Sequence, residues 1–167
     1  QDAYVAAAGR VESAGVDGVE IHAAHGYLAA SFLSAYSNHR TDDYGGDIAG
    51  RVRFLREIVR RVRSAAASDF LISVGIRANE FVPNGLTPED AIVIGRAMEA
   101  DGVDMLSLSV GVFESYQQLT MLSGEPESPW LPMIGNIRQA LSIPVVGVGR
   151  NKRPEAAEDA LAAGQID

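Results

Sequence analysis

Cysteine is absent from the sequence, and its absence removes three kinds of chemistry from this chain. Without a thiol the chain cannot form a disulfide, use a thiolate nucleophile or bind a metal through sulfur. Long hydrophobic runs are also absent, because no apolar stretch approaches the roughly 20 residues that cross a bilayer. The first residues, QDAYVAAAGR, lack the basic and apolar regions of a signal peptide. The sequence therefore predicts a soluble, cytoplasmic protein with no membrane partner.

Positive charge is scarce, with 14 lysine and arginine residues against 22 aspartate and glutamate residues and a formal net charge of -8. Proteins that bind nucleic acid present basic patches to the phosphate backbone, so no nucleic-acid partner is expected. Hydrophobic residues make up 47% of the 167 residues, which is enough for the core of one globular domain. We therefore expect a single globular domain.

Helix-like and strand-like patterns alternate along the chain. Apolar residues at helical spacing are typical of amphipathic helices, and short continuous apolar runs are typical of buried parallel strands. Their alternation implies right-handed βαβ units and a parallel sheet, in a barrel or in a doubly wound fold. The expected helices cover residues 2–14, 48–64, 87–102, 131–141 and 154–163, and the expected strands cover residues 15–22, 70–76, 103–110 and 143–149.

Candidate reactive residues come at the ends of three expected strands: His22 ends the first, Arg77 follows the second and Gly149–Arg150 ends the last. The carboxyl ends of parallel strands meet at one edge of the sheet, so we expect one shared site there. Residues 31–47 and 111–129 are expected to be loops at the same edge. The arginine-rich faces of the second helix are expected to be solvated.

The segment EIHAAHGY places His22, His25 and Tyr27 where the first strand ends. Zinc would need three or four ligands, and His39 is the only other histidine, so a metal site is disfavoured. The pair could also serve only to cap a helix or to satisfy backbone groups. Alternatively, two imidazole N–H groups that converge can hold a carbonyl or phenolate oxygen, and a nearby phenol can supply a proton.

Several segments resemble the old yellow enzyme family of FMN-dependent ene-reductases and NADH:flavin oxidoreductases. The similarity is strongest in AGVDGVEIHAAHGYLAASFLS, SNHRTDDYGG and RVRF, and continues more loosely through EFVPNGLTPEDA, GVDMLSLSVGVFES and IPVVGVGRNKRPEAAEDALAAGQID. The resemblance implies a (β/α)8 TIM barrel in which these four strands are the fourth to the seventh. Residues 1–167 are then a segment of a single FMN-binding TIM-barrel domain that lacks the first three strands and the last.

The resemblance also implies roles for individual residues. His22 and His25 are similar to the pair that binds the activating oxygen of an enone, and Tyr27 to the proton donor. Gly149 and Arg150 resemble the loop that binds the FMN phosphate. The implied activity is an NAD(P)H-dependent, FMN-dependent reduction of activated C=C bonds in small molecules.

Two departures from the family pattern affect this reading. The basic residue that relatives place against the flavin ring falls at Gly75, and Arg77 lies two positions further along the strand. Positions 75 and 77 share a face, so Arg77 is a candidate for binding the cofactor. A surface ion pair is the alternative for Arg77. The second departure is at Ala49 and Gly50, where a helix-start interaction is expected to be lost.

Two alternatives to an ene-reductase remain open. One is a relative of dienoyl-CoA reductase or amine dehydrogenase, with an iron–sulfur site and a further domain beyond Asp167. The other is a catalytically silent partial barrel. An isolated partial barrel is expected to bind FMN poorly, because its phosphate cradle is incomplete, to be inactive, and to self-associate through its exposed strand edges.

Overall fold

A computed structural model describes residues 1–121 and 124–167, and these residues form one parallel four-stranded sheet flanked by helices. The strands follow one another in chain order, and all neighbouring pairs are parallel, as the sequence predicts. No helix in the described ranges is long and apolar enough to cross a bilayer. The strands are β1 Gly18–His22, β2 Leu71–Asn79, β3 Met105–Val110 and β4 Val145–Gly147. The helices are α1 Asp2–Ser13, α2 Leu28–Leu33, α3 Ile48–Ala65, α4 Pro88–Ala100, α5 Tyr116–Leu119, α6 Leu131–Arg138 and α7 Pro154–Ala162.

The two faces of the sheet differ in polarity. Alternate residues of the central strands, such as Ile72, Val74 and Leu106, are fully buried and form the core with apolar residues of the helices. The opposite face carries polar side chains, and there the Ser73 hydroxyl donates to Glu20 Oε2 at 3.2 Å. The helices therefore cover one face of the sheet, and the other face and the strand ends are left for polar groups.

Side-chain caps begin the two helices that precede and follow β2. Thr87 and Asp90 form a capping box at α4, in which Thr87 Oγ1 accepts from the Asp90 N–H at 3.3 Å, and Pro88 is the first helical residue. At α3, Asp47 accepts from the Gly50 N–H at 2.9 Å. Asp47 therefore caps α3, and the loss of a further interaction at Ala49 and Gly50 stays a prediction.

Short helices occupy parts of both segments that were expected to be loops. Helix α2 extends into residues 31–47, and a 3-10 turn at Phe113–Ser115 together with α5 lies within residues 111–129. Residues 122–123 of the second segment lie outside the described residues. Helices of four to six residues are too short to produce a periodic apolar pattern, which explains why the sequence did not reveal them.

Arginines of α3 are not simply solvated, contrary to expectation. Arg56 and Arg60 both donate to Asp101, at 2.7 and 2.8 Å, and Arg63 pairs with Asp104. Asp101 follows α4 and Asp104 precedes β3, so these bonds join α3 to the segment between α4 and β3. The periodicity of α3 alone could not show them, because the acids lie about forty residues away in the chain.

Candidate active site

The structure brings His22, His25 and Tyr27 together at the carboxyl end of β1. His22 is the last residue of the strand, and His25 and Gly26 then adopt left-handed backbone angles, with φ of 56° and 78°. These angles reverse the chain, so that the His25 ring lies 5.2 Å from the His22 ring, centroid to centroid. The ring of Tyr27, which precedes α2, lies 5.5 Å from that of His22.

The two imidazoles face each other through His25 Nδ1 and His22 Nε2, which are 3.4 Å apart. A single oxygen atom can lie about 2.9 Å from both nitrogens, which is ordinary hydrogen-bond distance. Burial, followed by the charges of His22 and Arg77, lowers the pKa of His25. His25 is therefore a neutral imidazole near pH 7, able to donate one N–H bond to that oxygen. Within residues 1–121 and 124–167, no cluster of three histidine, aspartate or glutamate residues could hold a metal.

Arg77 lies inside the protein and not on its surface. Its side chain is 1% exposed and pairs through Nη2 with Glu80, which is completely buried. The expected alternative of a surface ion pair is therefore wrong. Burial lowers the pKa of Arg77, and Glu80 opposes that effect. Arg77 Nε and Nη1 have no hydrogen-bond partner among the described residues, so its binding to a cofactor stays a prediction.

A carboxylate occupies the space next to Gly75, the centre of β2. Gly75 lies beside His22 in the sheet, and a Cβ atom added to it would be 3.0 Å from Glu20 Oε1 and 3.6 Å from His22 Nδ1. A larger side chain at position 75 would therefore require Glu20 to move. The sequence motifs do not indicate Glu20 as a site residue, although strand alternation places it on the same face as His22.

The segment after β4 forms a tight backbone turn that only glycine fits. Gly149 has a φ of 140°, and a Cβ atom there would lie 2.6 Å from Cδ1 of Trp130. The next residue, Arg150, also has a left-handed φ, of 58°. Glu127 Oε1 stabilises the turn by accepting hydrogen bonds from the backbone N–H groups of residues 152 and 153, at 3.1 and 2.8 Å. A glycine turn of this kind lets a phosphate approach the backbone closely, so the residues present fit the FMN phosphate.

One cavity of about 360 Å³ is lined by His25 and by residues of this turn. Gly149 and Arg150 contribute to its wall, whereas His22 and Tyr27 line a different cavity, of about 630 Å³. Its size lies within the range of small-molecule sites. His25 and the turn after β4, which the sequence placed at separate strand ends, therefore share one space. The remaining wall is formed by Ser109, Val110, Gln118, Leu119, Met121, Trp130 and Val148.

Comparison with known proteins defines the class to which this arrangement belongs. Residues 1–167 match the model of the NADH:flavin oxidoreductase / NADH oxidase family, and the chain therefore belongs to this family. Proteins of the family use FMN with NAD(P)H. The chain is 39% identical over 164 residues to the NADH oxidase of Thermoanaerobacter brockii, a match that covers 98% of this chain and 25% of the relative.

Solved structures give the same result. A 2-naphthoyl-CoA reductase in complex with 2-naphthoyl-CoA superposes with a TM-score of 0.93 at 33% identity, over 99% of this chain and 25% of that one. An old yellow enzyme homologue from Zymomonas mobilis superposes with a TM-score of 0.78 at 28% identity, over 99% of this chain and 45% of that one. The four βα units thus correspond to part of a TIM barrel, and the chain spans about a quarter of the length of the NADH oxidase that it matches.

Proposed function

We propose that this chain is part of an FMN-dependent oxidoreductase that reduces activated C=C bonds, such as those of enones, with NAD(P)H. The observation that carries the proposal is the cavity shared by His25 and by Gly149 and Arg150. We also propose that residues 1–167 are one segment of a single FMN-binding barrel domain. In that domain, other parts of the polypeptide supply the remaining strands. We also propose that the protein is cytoplasmic, because its reductant NAD(P)H is available there.

The chain offers two groups of residues to the cofactor. Gly149 and Arg150 would hold the phosphate, and Arg77 would place a positive charge near the flavin ring. When bound, FMN supplies the redox chemistry, taking a hydride from NAD(P)H and passing it to the alkene.

The histidine pair would bind and polarise the carbonyl oxygen of the substrate. His22 Nε2 and His25 Nδ1 are hydrogen-bonded to each other at 3.4 Å. A substrate oxygen would replace this bond and accept from both nitrogens in the tautomers that carry a proton on each of them. Negative charge develops on that oxygen when the carbon–carbon double bond is reduced, and two fixed donors stabilise it. Because its pKa is lowered, His25 donates as a neutral imidazole and does not transfer its own proton to the oxygen.

Tyr27 would supply the proton that completes the reduction. The hydride adds to the β-carbon, and the carbon next to the carbonyl then needs a proton. The Tyr27 side chain lies beside His22 and is exposed, so it can reach a substrate held by the pair. Its hydroxyl loses the proton in this step and regains it from solvent.

The direct test is made on the complete polypeptide that contains this segment. We expect the purified protein to hold FMN and to oxidise NAD(P)H when an enone is added without oxygen. Gly149→Val should abolish FMN binding, because the side chain would collide with Trp130. Gly9→Val is the control and should keep the flavin, because Gly9 is exposed on α1 and a Cβ there meets no atom within 4 Å. A complete protein without flavin would contradict the proposal and would favour a catalytically silent barrel.

A larger enzyme of the dienoyl-CoA reductase or amine dehydrogenase type is the second candidate. The NADH oxidase and the 2-naphthoyl-CoA reductase are both about four times as long as this chain, since it covers 25% of each. Such an enzyme would carry an iron–sulfur site in a part of the polypeptide outside these residues. Iron and acid-labile sulfide in the complete protein would support this candidate, and their absence would favour a simple ene-reductase.

A further inference from the structure

The Glu80 carboxylate is the centre of a buried network at the carboxyl end of the sheet. It accepts hydrogen bonds from Arg77 Nη2, from the Ser34 hydroxyl and from the Leu86 N–H, the last at 2.9 Å. Its own backbone N–H donates to the Leu86 carbonyl at 3.0 Å. Its backbone carbonyl accepts from the Ser115 hydroxyl at 2.6 Å. Glu80 thus contacts four other residues through both its side chain and its main chain.

Each of these partners belongs to a different segment near the candidate active site. Ser34 ends α2, the helix that Tyr27 begins, and Arg77 belongs to β2. Leu86 lies just before α4, and Ser115 lies in the 3-10 turn after β3. The segments that follow β1, β2 and β3 are therefore fastened to one another through Glu80.

This network is an inefficient way to stabilise a protein. Taking a carboxylate and a guanidinium out of water costs free energy that their attraction only partly offsets, so apolar side chains of similar volume are often as stable. Two nitrogens of Arg77 also have no partner among the described residues, which adds to the cost. What the network does supply is directional bonding, which fixes the positions of the groups that it joins.

Arg77 links the network to the histidine pair. Arg77 lies two residues beyond Gly75, the sheet partner of His22, on the same face of β2. Its charge also contributes to the lowered pKa of His25. Glu80 is the only carboxylate within the described ranges that forms a salt bridge with Arg77. A change at Glu80 would therefore alter both the position of Arg77 and the charge that His25 experiences.

We infer that Glu80 is a positioning residue of the candidate active site. It holds Arg77 on the face of β2 that carries the sheet partner of His22, and it fixes the segment from His22 to Ser34 against the turn that contains Ser115. Glu80 acts through these residues and does not touch the substrate. The inference rests on the proposed function for its catalytic consequence, but its structural consequence is independent of that function.

Glu80→Gln in the complete protein is the main test. The glutamine keeps an acceptor for the Leu86 N–H but removes the charge that faces Arg77. The matched control is Asp101→Asn, because Asp101 is another buried carboxylate bound by arginines, at the opposite end of the sheet. Both variants are compared with the unmodified protein by thermal unfolding, hydrogen exchange, phenol binding and alkene reduction.

Both variants should unfold at a lower temperature, but only Glu80→Gln should affect the site. We expect faster hydrogen exchange at residues 23–34 and 111–121 in Glu80→Gln, and at residues 56–63 and 101–105 in Asp101→Asn. Phenol, titrated by calorimetry, should bind more weakly to Glu80→Gln. Its kcat for the alkene should fall on the order of a hundredfold, the usual effect of a small displacement of catalytic groups. Asp101→Asn should keep both values within about twofold of the unmodified protein, because distant sites rarely couple.

Several outcomes distinguish this inference from the proposed function. If Glu80→Gln unfolds early but keeps its phenol affinity and alkene kcat, Glu80 is only structural and the inference is wrong. If the unmodified protein reduces no alkene, the proposed function fails, and hydrogen exchange alone still decides whether Glu80 fixes these segments. If Glu80→Gln does not fold, Ser34→Ala removes one bond of the network and leaves the pair with Arg77. We then expect faster exchange at residues 23–34 and weaker phenol binding, and no change in either would overturn the inference.

Discussion

The two ends of the sheet both contain a buried carboxylate bound by arginine, but they are built differently. At the amino end, Asp101 accepts two bonds from Arg56, at 2.7 and 2.9 Å, and one from Arg60, at 2.8 Å. Both arginines come from α3 and keep part of their side chains in solvent. At the carboxyl end, Glu80 binds groups from several segments, and its arginine, Arg77, is wholly buried with two unpartnered nitrogens.

The two ends also differ in backbone conformation, because left-handed non-glycine residues are found at the carboxyl end. The described part of the chain holds five non-glycine residues in left-handed conformation, and all five lie in segments that follow the carboxyl ends of strands. Such conformations cost free energy and are retained where the surrounding structure imposes them. The contacts at the amino end therefore stabilise the fold, and those at the carboxyl end hold particular groups in position. The five residues are His25, Phe81, Asn84, Ser128 and Arg150.

The largest expected effect is that of Tyr27→Phe at the carboxyl end. The change removes one hydroxyl and leaves the ring, so FMN should still bind and should still be reduced by NAD(P)H. The alkene step should slow by roughly a hundredfold to ten-thousandfold, the usual contribution of general acid catalysis. Stopped-flow measurement of the two half-reactions checks this. Equal slowing of both steps, or an unchanged alkene step, would show that Tyr27 is not the proton donor.

His22→Ala and His25→Ala should have the next largest effect. Each removes one donor to the substrate oxygen, and the loss of such a donor typically slows the reaction by about a hundredfold to a thousandfold. Phenol, which carries a similar oxygen, should also bind more weakly to both variants. The exposed His39 provides the matched control, and His39→Ala should leave both measurements unchanged. A metal site would instead give loss of bound zinc in either variant.

Asp101→Asn at the amino end should reduce stability and leave the chemistry intact. Burial opposes ionisation, but the hydrogen bonds from Arg56 and Arg60 outweigh it and lower the pKa of Asp101. We expect a loss of about 2 kcal/mol in the free energy of unfolding at pH 7, measured with urea. Because the folded pKa is the lower one, this contribution is present above the unfolded pKa, near 3.9, and disappears as pH falls through the folded pKa. A difference between the two proteins that grew in acid would contradict this account.

Self-association of the isolated 167-residue polypeptide is the weakest expected effect. β1 and β4 each have only one neighbour in the described sheet, and an unpaired strand edge can bind another chain. Light scattering should show a mass that rises with concentration. The complete polypeptide, in which we propose that further strands cover these edges, is the control. A monodisperse monomer at all concentrations would count against open edges in the isolated polypeptide.

The sequence predicted the features whose signals are local. Alternating helix and strand patterns predicted the parallel sheet, and Thr87 with Pro88 predicted the start of α4. The position of EIHAAHGY at a strand end predicted that His22, His25 and Tyr27 would meet. In each case, residues close together in the chain determine the outcome, so the pattern contains the necessary information.

The features that the sequence did not predict depend on distant contacts. Ser34 lies 46 residues from Glu80 in the chain, and Ser115 lies 35 residues from it. No periodicity near Glu80 indicates that these hydroxyls surround it. The shared strand face of positions 75 and 77 predicts Arg77 against a cofactor, with a surface ion pair as the alternative, and it gives no sign of a buried pair. Its partner Glu80 follows a shift in strand register between Arg77 and Asn79, which a simple strand pattern does not reveal.

Our main proposal is that His25 and the turn after β4 face one ligand site. Titration of phenol into the FMN-loaded complete protein, followed by flavin absorbance, tests this most directly. We predict that one phenol binds per flavin, that binding alters the flavin spectrum, and that His25→Ala weakens it. Phenol that does not bind, or that binds without altering the flavin spectrum, would contradict the claim.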